Sequence, residues 1–149
     1  MLNRFFQTED DVSVLIARLF LGVVILPHGL QKLLGMFGGG GFSATVDFFV
    51  NSGMPAAVAF LIIIGESFGA AGLIIGFLSR LAALGITLIM LGAIFLVHLP
   101  NGFFMNWTGN QPGEGFEYHL LAIGLALVVL IKGGGKWSVD GALVKDNRK

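Results

Sequence analysis

Four long apolar runs constrain this chain more than any other feature: Val12–Leu34, 56–78, 81–99 and a shorter one at 118–131. Crossing a hydrocarbon core about 30 Å thick takes about 20 apolar residues of helix. Backbone groups in lipid must be satisfied within the protein, so an open sheet is excluded and each run reads as a helix. The composition agrees, with 55% hydrophobic and 12% charged residues and a mean hydropathy of +0.86, where soluble domains carry roughly a quarter charged residues. The expectation is an all-α integral membrane protein. It forms a four-transmembrane-helix antiparallel bundle in a single domain, with spans over 12–34, 56–78, 81–99 and 117–132 and a cytoplasmic tail over 133–149. Nine Lys plus Arg balance nine Asp plus Glu, so nothing points to nucleic acid or another polyanion as partner. The partner to expect is the lipid bilayer.

Charge placement orients the bundle. Arg4, Arg80, Lys132, Lys136, Lys145, Arg148 and Lys149 fall on one side of a four-span arrangement, with Lys32 alone near the other. Basic residues favour the cytoplasmic side, which puts both termini there. Glu9, Asp10 and Asp11 precede the first run, which is too long for a signal-peptide core, so a retained helix is expected. Only Ser79 and Arg80 separate the second and third runs, which predicts a tight hairpin. The connections at 35–55 and 100–116 become long outer loops. The first holds a glycine run at 38–41 and a short interfacial helix over 43–51, stopped by Gly53 and Pro55. The second carries Phe103, Phe104 and Trp107, suited to an interfacial aromatic belt. Glycines at 133–135 followed by Lys136 and Trp137 read as a membrane exit with an interfacial anchor.

Small residues suggest how the helices meet. Gly65 with Gly69, and Gly72 with Gly76, form small-xxx-small pairs that let a neighbouring backbone approach. On the first run Arg18, Gly22, Ile25, Gly29 and Lys32 share one helical face. Pro27 predicts a kink beside His28.

Arg18 and Glu66 sit inside apolar runs, where a central charge costs at least about 2.5 kcal/mol and points into a bundle or wet cavity. At 1.5 Å per residue Glu66 lies about 15 Å, and His28 about 9 Å, from the outer ends of their helices. The resulting gap of about 6 Å is matched by one to Arg18 on the inner side, so Glu66 can pair from above or below. His28, His98 and His119 all fall in the outer half, joined by Lys32, Glu117 and Tyr118. Such convergence suits proton exchange or the holding of a cofactor head group, because His titrates near neutral pH. It also suits a metal held by His28, His98 and His119, although these lack tight ligand spacing. Glu117 and His119 are two apart and point to different helix faces. The chain has no cysteine, so it supplies no thiol nucleophile, cluster ligand or covalent c-type haem link. Any redox role must use a bound cofactor or another subunit.

Arg18 to Gly22 with His28 to Lys32, then Glu66 to Leu73 through Ser79 and Arg80, resemble the DoxX family. Gly113 to His119 and Gly133 to Asp140 are similar to that family's last helix and tail. The resemblance implies a four-helix protein of the bacterial inner membrane, labelled an oxidoreductase and associated with quinone-linked sulfur oxidation or oxidant detoxification. Matched position by position, the family's polar pattern falls on Arg18, His28, Lys32, Glu66, Arg80, Glu117 and His119. Quinone is the expected cofactor, with Glu66, His28 and His119 as proton-exchanging candidates. Lys32, Arg18, Glu117, Tyr118 and His98 are the candidates for holding it. A separate redox subunit is the expected electron donor, and self-association into a homo-oligomer is a further expectation. Two alternatives stay open: a bundle that binds or moves a small molecule or ion, with Arg18 and Glu66 as an intramembrane pair, and a histidine-based metal-handling protein.

Overall fold

A computed structural model describes residues 6–146, all-helical with no strand among them. Arg4, Arg148, Lys149 and the Lys145 side chain lie outside what it describes. The elements are α1 (Val12–Leu34), a 3-10 turn at Met36–Gly38, α2 (Gly41–Asn51), α3 (Ala56–Ile75), α4 (Ser79–Asn101), α5 (Glu117–Lys132) and α6 (Val139–Asp146). Three of them, α1, α3 and α4, are long and apolar enough to cross a membrane. The fourth expected span, α5, has 16 residues, about 24 Å of helix, which is short of a full hydrocarbon core.

Local chemistry sets the helix ends. The Asp11 carboxylate accepts from the Ser13 backbone N–H at 2.8 Å and the Ser13 hydroxyl at 2.6 Å, capping the first turn of α1. Gly35 closes α1 in the left-handed region at φ 72°, which glycine adopts without a Cβ penalty. Pro27 is accommodated inside one unbroken α1. The hairpin differs from expectation: α3 stops at Gly76, φ 73°, three residues before Ser79, and both Ser79 and Arg80 already belong to α4.

The helices run antiparallel to their neighbours. Arg80 at the start of α4 donates to the Leu130 carbonyl near the end of α5, while His98 late in α4 stacks on His119 early in α5. Likewise Arg18 near the start of α1 reaches the end of α3, and Lys132 at the end of α5 pairs with Asp11 at 2.9 Å. Between them lies a core that includes Leu21, Ile25, Leu73, Ile86, Ala126 and Val129.

The closest backbone approach belongs to α1 rather than to the glycine pairs of the second run. A Cβ on Gly22 would strike the Ala70 carbonyl at 2.8 Å, and one on Gly29 would fall on the peptide group of Glu66. By contrast, Gly69 has only the Ala82 methyl near it, at 3.9 Å. Gly65 and Gly69 instead bound a π turn in α3, Gly65–Gly69, a feature found frequently at functional sites.

The tail also differs from a simple membrane exit. After α5 it folds back beneath the bundle, where the carbonyls of Gly134, Lys136 and Trp137 accept from Arg18. Asp140 then accepts from the Leu78 and Ser79 N–H groups, each at 2.8 Å, and so caps α4.

Candidate functional site

Arg18 is 1% exposed, and its partners are all carbonyls. Nε donates to Gly134 at 2.7 Å, Nη1 to Leu73 at 2.9 Å and Ile74 at 2.5 Å, and Nη2 to Lys136 at 3.2 Å and Trp137 at 3.1 Å. That uses all five guanidinium donors. At the end of α3 the Leu73 carbonyl also accepts from the Gly76 N–H, at 3.3 Å, and the negative end of a helix dipole favours a cation. The expected Arg18 and Glu66 pair is therefore not formed, and Arg18 clasps the tail instead.

Glu66 is paired from the other side. Lys32 Nζ lies 2.5 Å from its Oε2, with side-chain exposures of 24% for Lys32 and 7% for Glu66. Gly29, one helical turn before Lys32, makes this pairing reachable by letting α1 touch the α3 backbone at Glu66. An ion pair is how two charges persist at such burial.

Above the pair, α4 and α5 bring in an aromatic and imidazole cluster. The rings of His98 and His119 are 4.1 Å apart, those of Tyr118 and His119 5.3 Å, and those of His28 and Tyr118 6.4 Å. His119 is buried, 6% exposed, whereas His28 lies on an exposed face of α1. The Tyr118 hydroxyl, His119 Nδ1 and Ser67 Oγ are buried with no hydrogen-bond partner. Buried polar atoms are nearly always bonded, so such orphans call for a ligand or water. Ser67 gave no sequence signal, since its orientation depends on the π turn.

Two candidates are tied to the 100–116 loop. Glu117 accepts from the Met105 N–H at 2.9 Å, and so pins the 100–116 loop to the start of α5. His98 Nδ1 lies 2.8 Å from the Glu114 carbonyl, leaving that ring tied to the same loop while it stacks on His119. Among the described residues no group of three or more His, Cys, Asp or Glu is arranged to hold a metal. The expected alternative of a metal held by His28, His98 and His119 is thus not assembled among the described residues.

A cleft of about 360 Å³ opens beside the ion pair, lined by Gln31 and Lys32 of α1, Gly39 and Gly40 of the loop, and Ala44, Thr45, Phe48 and Phe49 of α2. Its loop wall is fixed by the Gln31 amide donating to the Phe37 carbonyl at 3.2 Å and by Gly39 lying against the Gln31 backbone.

No solved structure matches the chain. It is similar to the protein named "Putative oxidoreductase CatD" of Bacillus subtilis (strain 168), 29% identical over 80% of this chain and 79% of that one. It is also similar to the uncharacterized membrane protein Rv3486 of Mycobacterium tuberculosis, 32% identical over 95% of this chain and 88% of the relative. The inner membrane protein YqjF of Escherichia coli (strain K12) is 28% identical over 91% and 95% respectively. The DoxX family profile matches residues 13–99, the stretch that holds Arg18, Lys32, Glu66 and the α1 to α3 contact. An apolar helical bundle with this match across more than half its length is an integral membrane protein and belongs to the DoxX family.

Proposed function

We propose that the chain is the membrane subunit of a quinone-linked oxidoreductase of the bacterial inner membrane, serving sulfur or oxidant metabolism. In this reading α5 is a fourth crossing and both termini face the cytoplasm. The basic residues Arg80, Lys132 and Lys136 lie at the end of the bundle where α1 and α4 begin, which supports that orientation. In this reading electrons come from a separate redox protein, since the chain has no cysteine to hold an iron–sulfur cluster or a covalent c-type haem.

The observation that carries the reading is the pair of a half-buried Lys32 with a buried Glu66, together with the unpartnered Tyr118 hydroxyl and His119 Nδ1. These residues fit a quinone: Lys32 has ammonium donors beyond the one used on Glu66, Tyr118 brings a free donor, and His119 a free ring nitrogen. When bound, a quinone supplies two-electron, two-proton acceptance. Lys32 and Tyr118 would hold its head group by hydrogen bonds. Glu66 and His119 hold and exchange the protons, and the surrounding apolar helices exclude bulk water.

Purification of the full chain in mild detergent, followed by mass spectrometry of extracted lipids and metal analysis, tests this. Wild type carries co-purified quinone, and Glu66→Gln and Tyr118→Phe lose it while remaining folded. A quinone content unchanged by both substitutions, or a stoichiometric metal in place of quinone, overturns the reading.

A further inference from the structure

The ion pair has one open side, and it faces the cleft between α1 and α2. Lys32 lines that cleft and keeps 24% of its side chain exposed, while Glu66 behind it keeps 7%. The helix that walls the cleft adjoins the apolar part of α3. Phe42 of α2 packs on Phe60 of α3, with centroids 6.3 Å apart, and Phe60 stands six residues before Glu66, about 9 Å along the helix. Phe48, which lines the cleft, is 66% exposed, and Phe42 and Val50 are exposed at 41% and 43% on other sides of α2. A helix of this kind lies in the membrane interface with its apolar side toward acyl chains. The opening therefore gives onto lipid.

Charge decides what can enter. Lys32 is already neutralised by Glu66, so an anionic head group arriving at Lys32 would meet the Glu66 carboxylate as a like charge. A neutral head with hydrogen-bond acceptors takes the spare ammonium donors without that penalty. Its tail then lies along Ala44, Phe48 and Phe49, whose two Phe rings pack edge to face at 5.6 Å. The cleft is shallow and open, about 360 Å³, so it covers one side of a tail and does not enclose it.

We infer that the cleft between α1 and α2 is a lateral binding site for the apolar tail of a neutral, lipid-soluble ligand whose carbonyl-bearing head reaches Lys32. This rests on the quinone reading above and adds to it where the ligand enters, which part of it the protein measures, and that its head is uncharged.

Equilibrium binding to the detergent-purified full chain separates the two claims, using decylubiquinone, the same ring without its alkyl tail, and a decyl phosphate. Wild type binds decylubiquinone about tenfold or more tightly than the bare ring, and tighter than the alkyl phosphate. Ala44→Trp narrows the cleft from α2 and leaves both residues of the ion pair in place. It abolishes the advantage of the tail and changes affinity for the bare ring by less than about twofold. A tail advantage that survives Ala44→Trp, or is absent in wild type that still binds the ring, overturns the cleft assignment alone. Decyl phosphate binding as tightly as decylubiquinone overturns the selection for a neutral head. Wild type that binds neither quinone overturns the quinone reading, and this inference with it.

Discussion

Gly29 of α1 lies against the peptide group of Glu66 on α3, at the place where Lys32 closes its ion pair with the Glu66 carboxylate. The contact of backbone with backbone and the contact of charge with charge are two parts of one interface. In lipid, helices gain nothing from hydrophobic exclusion of each other's surfaces, so close backbone approach and buried polar pairing must hold them together.

Gly29→Ala places a methyl group onto the Glu66 backbone. We expect a loss of about 1–3 kcal/mol from overpacking, read as a lower thermal midpoint in detergent. A methyl group added to Gly92 on α4 would meet nothing within 4 Å. Gly92→Ala is therefore neutral or mildly stabilising, because alanine suits a helix interior better than glycine. Equal losses at the two positions would refute the contact.

Arg18→Lys keeps the charge but cannot replace five fixed donors with three. The carbonyls of Gly134, Lys136 and Trp137 lose their partner, and the tail comes free. Limited proteolysis should cut the 133–146 region faster in Arg18→Lys than in wild type. Quinone content per folded molecule should stay unchanged, since Arg18 makes no contact with Glu66.

Asp140→Asn weakens the cap on α4. With both carboxylate oxygens bonded to the first N–H groups of that helix, removing the charge costs about 0.5–2 kcal/mol. Chemical denaturation in detergent reads the change. If the midpoint does not move, the cap contributes nothing to stability.

Asp11 is held well below the ordinary carboxylate value of 3.8 by its hydrogen bond from the Ser13 side chain and then by Lys132. A group whose folded pKa is depressed stabilises the fold fully above its unfolded value, and loses that contribution as pH falls through the folded one. Asp11→Asn should therefore be less stable than wild type at neutral pH, and the gap should narrow below about pH 4. Thermal midpoints of both proteins between neutral and acid pH check the sign. A gap that widens on acidification would exclude this role for Asp11.

Much of the architecture is legible in local pattern. Apolar run lengths mark α1 and α3 as membrane helices, and the i, i+3, i+4 spacing of Arg18, Gly22, Ile25 and Gly29 correctly turns them inward, where all four are buried. Hairpin detail is less legible. Gly76 looks like one member of a glycine pair, yet its left-handed backbone ends α3 early and moves Ser79 and Arg80 into α4. The depth of α5 is likewise left open by an apolar run of middling length.

The sequence by itself determined that this is a helical membrane protein of the DoxX family, and that Arg18 and Glu66 must be buried rather than meet lipid. Only the tertiary structure decided whom each charge meets. Periodicity describes one segment's own face, while pairing depends on where neighbouring helices stop and what returns to cover their ends. Because α3 ends at Gly76 and the tail folds back beneath it, Arg18 is saturated there by carbonyls of both segments. Glu66 is left to Lys32, brought within reach by the single missing Cβ at Gly29.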